Sequence, residues 1–324
     1  MSFESRRSKS PAGAVFFIAI LLFSWLLVGC ASSPQWDALD RHRPANMASA
    51  HEIAQVPFFA QDDYECGPAA LAMAAQAAGV NVLPEAFTSQ VFLPRRQGSM
   101  QSEMKAAGRR HGLLVYQLAP SMDSLVREVA AGHPVIVLQN LSLSMGNPVW
   151  HYAVVIGYDL PRATLLLHSG RTARKTMFMP TFERTWALSQ HWAIALVQPD
   201  VLPATAVADA HAMEAAALER VAPEQARIAY GLGLRNWPDH RASLLGSGNA
   251  SYAMQDLPAA MLAYTQATQR HPDFADAWNN LAHVLYVQKN FDAAQLAISR
   301  AVALGGPRQA RYQELNALIE AAAR

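Results

Sequence analysis

The chain has 324 residues, a length typical of about two domains. Its 26 lysines and arginines nearly balance its 25 aspartates and glutamates, and no basic stripe runs through it, so the charge pattern argues against a nucleic-acid-binding protein. The two cysteines, Cys30 and Cys66, are too far apart to chelate a metal ion, and no other metal-ligand spacing occurs. We therefore expect no metal and no cofactor.

Residues 1–29 predict an export signal. Cationic side chains near the start precede an apolar run over residues 12–29, and small residues follow Cys30. The sequence Leu-Val-Gly-Cys resembles the lipobox of bacterial lipoproteins, which implies that the signal is removed and that Cys30 carries lipid. A plain membrane anchor is the alternative, because the run reaches the minimum spanning length of about 18 residues. The cysteine and its small neighbours favour a lipid-anchored, extracytoplasmic protein, sorted to the outer membrane and facing the periplasm.

The rest of the chain divides by composition. Residues 30–55 have no clear hydrophobic period and predict a tether between the membrane and the first domain. Residues 56–199 mix a helical start with several short strands, whereas residues 204–324 are alanine-rich and helical, with prolines at the join. We therefore expect an α+β domain followed by an all-α domain.

Cys66 begins the first predicted helix of the α+β domain. Gly67 and Pro68 follow it, Pro68 suits the first turn, and an alanine-rich run continues the helix. Backbone N–H groups and the helix dipole at this position favour a thiolate, so we expect the pKa of Cys66 to lie below the usual value of about 8.5. A free cysteine is often a small core residue. If Cys30 carries lipid, however, Cys66 has no disulfide partner in an oxidising compartment, which favours a reactive thiol.

His151 is the candidate base. It begins a strand-like run over residues 151–156, and a histidine downstream of one free cysteine is typical of thiol catalysis. Gln61 precedes Cys66 by five residues. Its side-chain amide can stabilise the negative charge that develops on a scissile carbonyl oxygen.

These residues also carry a family resemblance. Gln61, the run Cys-Gly-Pro-Ala-Ala-Leu from Cys66 and the run His-Tyr-Ala-Val-Val-Ile-Gly-Tyr from His151 resemble the bacteriocin-processing double-glycine cysteine peptidases and their stand-alone relatives. The resemblance covers about residues 56–199. It implies a papain-like fold with Cys66 as nucleophile, His151 as base, and an oxyanion hole formed by the Gln61 side chain and the Cys66 N–H. After the nucleophile helix it implies strands at 134–139, from 151 and at 164–168, a helix at 182–189 and a strand at 192–197.

The sequence departs from this family after the histidine strand. The family usually has an Asp-Pro pair at the end of the next strand, and its aspartate orients the imidazole; Ser169 and Gly170 stand there in this chain. Ser169, His168, Asn140 and Asp159 remain open as the residue that orients His151. The chain also has no phosphate-binding loop of the kind found in the exporter members, so its substrate need not be a double-glycine leader.

A period of 34 residues marks the C-terminal region. Small, aromatic or aliphatic, and helix-ending positions recur at this step: Ala226, Ala260 and Ala294; Tyr230, Tyr264 and Ile298; Gly233, Ala267 and Ala301; Pro238, Pro272 and Gly306. The pattern resembles the tetratricopeptide repeat. It implies three helical units, a capping helix over residues 311–323, and a concave face that binds a peptide or a protein partner. Generic amphipathic helices are the alternative.

Three functions fit these features. The first, which we favour, is a membrane-anchored extracytoplasmic thiol peptidase that hydrolyses peptide or protein substrates. The second is a catalytically inactive papain-like scaffold for protein interaction, which the missing aspartate supports. The third is a thiol-dependent peptidyl transferase, because Cys-Gly-Pro helices also occur in enzymes similar to phytochelatin synthase.

Overall fold

The computed structural model of the protein describes residues 33–43, 47–60, 65–96 and 98–324. The predicted signal peptide, Cys30 and Gln61 lie outside the described residues. Within the described ranges, no helix is both long enough and apolar enough to cross a membrane.

The first domain is built around one sheet. Its elements are, in chain order, α1 (Pro34–Arg41), β1 (Ala50–Glu52), α2 (Cys66–Ala77), α3 (Pro84–Val91), β2 (Phe92–Leu93), β3 (Gly98–Ser99), α4 (Gln101–Arg110), β4 (Leu114–Gln117), α5 (Met122–Ala130), β5 (Val135–Asn140), β6 (Trp150–Asp159), β7 (Thr164–Ser169), β8 (Thr172–Phe178), α6 (Met179–Ala187) and β9 (Ala193–Val197). Among the described residues, seven strands form an antiparallel sheet in the order β4-β9-β5-β6-β7-β8, with β1 also paired to β6, and β2 and β3 form a separate ribbon. The α+β prediction for this domain is confirmed.

Both faces of the sheet are covered by helices. Ile136 and Leu138 point to the face covered by α2, α3 and α4, whereas Val135 and Val137 point to the face covered by α5, α6 and α1. Successive side chains of a strand point to opposite faces, so a strand buried on both sides has a continuous apolar sequence. This explains why the run that forms β5 shows no polar alternation.

The predicted tether is partly wrong. Residues 34–41 form α1, whose Trp36 and Leu39 are buried against the domain, and residues 50–52 form β1, which pairs with β6. Gly157 of β6 is needed there, because a Cβ at this position would lie 2.7 Å from the backbone oxygen of His51. The sequence does not show this docking, because two buried side chains make no clear period and the contacts are made to residues far along the chain.

Seven helices form the second domain: α7 (Ala208–Ala216), α8 (Pro223–Asn236), α9 (Arg241–Ala253), α10 (Leu257–Arg270), α11 (Ala275–Val287), α12 (Phe291–Leu304) and α13 (Gln309–Ala322). The recurring alanines Ala226, Ala260 and Ala294 are buried in α8, α10 and α12, the second helix of each pair. Small side chains let paired helices approach closely. The helical prediction is confirmed, and α13 begins two residues before the predicted capping helix.

The two domains share a buried contact. Ala212 and Ala215 of α7 join one apolar cluster with Leu114 of β4 and Val197 of β9. Beside this cluster the Glu214 carboxylate, 2% exposed, lies 2.8 Å from Lys105 and 2.5 Å from Arg109 of α4. The first helix of the repeats is therefore anchored on the first domain by both apolar and charged groups.

Candidate active site

Cys66 is the first residue of α2, as the sequence predicts. Residues 67–75 behind it are fully buried, and Cys66 itself is half-buried. The backbone groups of Tyr152, Gly67 and Cys66 lie close enough to the thiol to act on its pKa. The thiol therefore lies where α2 packs against β6.

The sequence predicts a lowered pKa for Cys66, but the structure supports a raised one. The three backbone groups act to lower the pKa of the thiol, as a helix N-terminus should, but burial is the larger effect and raises it above its ordinary value. Taking the sulfur out of water penalises the thiolate more than these dipoles stabilise it. The sequence predicts the helix N-terminus but not the depth at which the sulfur is buried.

His151 lies near the start of β6, one residue before Tyr152. Its Nε2 atom is 3.0 Å from the Ser169 hydroxyl oxygen at the end of β7. Burial, and secondarily the nearby positive charge of Lys175, lower the pKa of His151 to about 4. At neutral pH the imidazole is therefore uncharged.

The resting site thus holds a neutral thiol and a neutral imidazole. Within the described residues, Cys66 and His151 form no direct hydrogen bond, and Nδ1 of His151 has no hydrogen-bond partner. A neutral imidazole can accept a proton, and catalytic hydrogen bonds often tighten only when substrate binds. The arrangement therefore suits general-base activation of the thiol better than a preformed ion pair.

His168, one of the open candidates for the orienting residue, points elsewhere. Its Nε2 atom lies 3.2 Å from the Val56 carbonyl oxygen, and its Nδ1 atom accepts the Arg174 N–H at 3.1 Å. Both ring nitrogens are therefore used to hold the segment before α2 and the start of β8.

Asn140 and Asp159 also have other partners. The Asn140 side-chain oxygen accepts the N–H groups of Ser142 and Val149, and Asp159 pairs with Arg162 in the turn after β6. Of the four open candidates, Ser169 is the one that contacts His151.

The sequence does not predict that β3 packs beside the helix that Cys66 begins. The Tyr152 hydroxyl donates to the Ser99 carbonyl oxygen at 3.2 Å, which fixes β3 next to α2. A Cβ at Gly67 would lie 2.3 Å from the Ser99 hydroxyl oxygen, so only glycine fits at this position of the helix. Tyr152 directly follows His151 in the sequence, but no sequence signal marks Ser99.

Comparisons with known proteins agree with this architecture. Residues 53–193 match the Peptidase_C39-like family, and residues 251–319 match the tetratricopeptide repeat. The chain therefore carries a C39-like peptidase domain followed by C-terminal tetratricopeptide repeats, and the first match supports the papain-like peptidase fold. No curated protein matches the chain.

Two solved structures are similar to parts of the chain. One is a C39-like peptidase from Bacillus anthracis, with 18% identity and a TM-score of 0.38 over 46% of this chain and 97% of that one. The other is the TPR2B domain of yeast Sti1 in complex with pHsp70, with 16% identity and a TM-score of 0.33 over 35% of this chain and 94% of that one.

Proposed function

We propose that the protein is an extracytoplasmic thiol peptidase, held to a membrane by lipid on Cys30, with Cys66 as nucleophile and His151 as base. The observation that carries the proposal is the packing of Cys66 against the cluster of buried side chains that includes Tyr152. It sets the thiol against the strand residue next to His151.

The chemistry follows from the two ring nitrogens of His151. With Nε2–H donating to Ser169, Nδ1 carries the free lone pair and takes the proton from the thiol as sulfur attacks the scissile carbonyl carbon. The imidazolium then gives that proton to the leaving amine, and a water molecule hydrolyses the thioester. The Cys66 N–H and the Gln61 amide stabilise the oxyanion in both steps.

The experiment compares the wild-type protein with Cys66→Ser, His151→Ala and Gln61→Ala on a tryptic peptide mixture, with cleavage read by mass spectrometry. Cys66→Ser and His151→Ala should each lower turnover by about 10⁴-fold or more. Gln61→Ala should lower turnover by about 10²–10³-fold. It should leave iodoacetamide alkylation of Cys66 unchanged, because alkylation forms no oxyanion.

Alkylation of Cys66 should also follow its raised pKa. The reaction requires the thiolate, so its rate should be low at pH 6 and should keep rising beyond the pH at which free cysteine levels off. Equal cleavage by the wild-type protein and Cys66→Ser, with both folded, would overturn the peptidase proposal.

An inactive scaffold is the second candidate. It is favoured by the serine that takes the place of the expected aspartate and by the neutral resting pair, since a hydroxyl stabilises imidazolium less than a carboxylate does. No cleavage of any peptide by the wild-type protein would support it. Transfer of the acyl group to an added amine, in preference to water, would instead indicate a peptidyl transferase.

The repeats offer a groove for a substrate or partner. The groove has a volume of about 680 Å³ and is lined by apolar and charged side chains, among them Met213, Leu245, Phe274, Arg241 and Asp276. Met213 is 62% exposed, which leaves it free for contact with a peptide. If the groove recruits substrates, Met213→Asp should raise KM for protein substrates and leave the hydrolysis of short peptides unchanged.

A further inference from the structure

Helix α1 is fastened to the first domain at its N-terminus. The buried Glu183 carboxylate accepts the N–H groups of Gln35 at 3.0 Å and Trp36 at 2.8 Å. The Gln35 side chain accepts the Met122 N–H at 2.7 Å and donates to the Pro120 carbonyl oxygen at 3.1 Å. A helix N-terminus held by a buried carboxylate and by a second loop has little freedom to move.

This fastening leaves little chain between the domain and the proposed lipid. Ser33, directly before α1, is already 6% exposed. Cys30 precedes Ser33 by three residues, which span at most about 11 Å when fully extended. A lipid on Cys30 therefore holds the region around Gln35 and Pro120 close to the head groups of the bilayer.

The strand register shows at which end of the sheet the region around Gln35 and Pro120 lies. Strands β4 and β5 both pair antiparallel with β9, so they run in the same direction. Leu118 bonds to the Ala193 carbonyl, and Ala193 pairs with Val137, so Pro120 lies level with the end of β5. Two strand spacings, about 10 Å, separate β4 from β5. Pro120 and the end of β5 therefore lie near each other at the same end of the sheet.

An apolar loop projects from that same end. Residues 141–150, which join β5 to β6 and include its first residue, are all exposed and contain no charged side chain. Five large apolar side chains lie on this apolar loop, each at least 41% exposed: Leu141, Leu143, Met145, Val149 and Trp150. Soluble surfaces rarely expose such a dense apolar group unless it meets a partner.

The apolar loop is also braced. The Asn140 side chain accepts the N–H groups of Ser142 and Val149 and donates to the Ser144 carbonyl oxygen at 2.8 Å. The Leu141 N–H donates to the Val149 carbonyl oxygen at 2.9 Å. The exposed side chains are therefore presented by a structured loop.

We propose that the apolar loop is a second membrane contact, which inserts into the bilayer interface beside the Cys30 lipid. The lipid end and the loop lie at one end of the sheet. A tryptophan and uncharged aliphatic side chains are typical of protein segments at that interface. The contact made by the Cys30 lipid rests on the proposed function, whereas the contact made by the apolar loop can be tested on protein without lipid.

The consequence concerns the active site. His151 pairs with Gln139 at this end of the sheet and directly follows Trp150 of the apolar loop. The catalytic pair therefore opens at the bilayer surface, where it meets peptides that lie on the membrane.

The test places an environment-sensitive fluorophore at either end of the sheet. In lipid-free protein that carries Cys30→Ser and Cys66→Ser, Met145→Cys labels the apolar loop, and Arg162→Cys labels the turn at the opposite end. On vesicles of phosphatidylethanolamine and phosphatidylglycerol, the label at residue 145 should shift to the blue and be quenched by nitroxide lipids. The label at residue 162 should do neither.

The variants separate the two contacts. Leu143→Ser combined with Met145→Ser should weaken vesicle binding of the lipid-free protein by an order of magnitude, and Leu262→Ser, at an equally exposed leucine of the repeats, should not. The mass of the mature N-terminus shows independently whether Cys30 is lipidated. A vesicle-bound protein whose label at residue 145 stays in water would overturn the proposal. A blue shift caused by peptides, with none caused by vesicles, would assign the apolar loop to substrate instead.

Discussion

The two domains differ in how far along the chain their contacts reach. In the peptidase domain, Glu183 bonds to Trp36 across 147 positions. In the repeats, Asn280 bonds to Asn249 across 31 positions and Arg308 to Asp276 across 32, about one repeat step. A 34-residue period therefore contains most of the information that the repeats need, whereas the peptidase domain depends on segments that no local pattern connects.

A change at Glu214 should have the largest effect, because this residue joins the repeats to the peptidase domain. Glu214→Gln removes a buried carboxylate and leaves Lys105 and Arg109 without their counter-charge. We expect a loss of about 3 kcal/mol in the free energy of unfolding, measured by urea denaturation of the full chain.

Asp239→Asn is the matched control within the repeats. It removes an equivalent pairing with Arg270, but both side chains are largely exposed, so the loss should stay below about 1 kcal/mol. Equal losses for the two variants would show that the charged contact at the domain junction stabilises the protein no more than a surface ion pair does.

Gly248→Ala tests how local the repeat contacts are. A Cβ there would lie 2.3 Å from the Tyr264 ring, which is held by a 2.9 Å hydrogen bond to Asn249. The free energy of unfolding should fall by about 1–3 kcal/mol through overpacking. Hydrogen exchange should increase around α9 and α10 and stay unchanged in the sheet; faster exchange throughout the sheet would contradict the contrast between the domains.

Ser169→Asp tests how a contact between distant segments sets the pKa of His151. His151 acts as a base only when neutral, and its pKa is lowered to about 4, so wild-type kcat/KM should fall tenfold per pH unit below about pH 4. A carboxylate beside Nε2 favours the imidazolium and should raise this pKa by about one unit or more, which moves the acid limb to higher pH.

Ser169→Asn is the control for that shift. Asparagine has nearly the shape of aspartate and forms hydrogen bonds, but it carries no charge. The acid limb of its kcat/KM profile should therefore lie at the same pH as that of the wild type. If both variants move the limb equally, the effect is steric and not electrostatic.

Gly231→Ala should give the smallest change in the free energy of unfolding, and that change should be a gain. This glycine lies inside α8, and the nearest atom to a new Cβ would be the Arg235 guanidinium at 3.9 Å. Thermal denaturation should show a gain of about 0.5–1 kcal/mol from helix propensity. A loss would show that α8 packs against a surface at this position.

Much of the candidate site could be predicted from the sequence because its key residues stand in local patterns. Cys66 begins a helix that Pro68 and the following alanines specify, and His151 stands at the mouth of an apolar strand. The orienting residue could not be predicted, because four side chains near three strand ends were compatible with the pattern. Only the pairing of β6 with β7 brings Ser169, and not His168, to the imidazole.

The sequence alone determined the division into an α+β domain and a helical array, the 34-residue step, and the positions of Cys66 and His151 at element ends. These features depend on neighbours within one helix, strand or repeat, so they can be recognised in a linear pattern. The tertiary structure decided that α1 docks on the domain, that the apolar loop lies at the same end of the sheet as α1, and that the thiol and imidazole are both neutral. Those features depend on desolvation and on which distant segments meet, and both arise only when the sheet and its helix layers have closed.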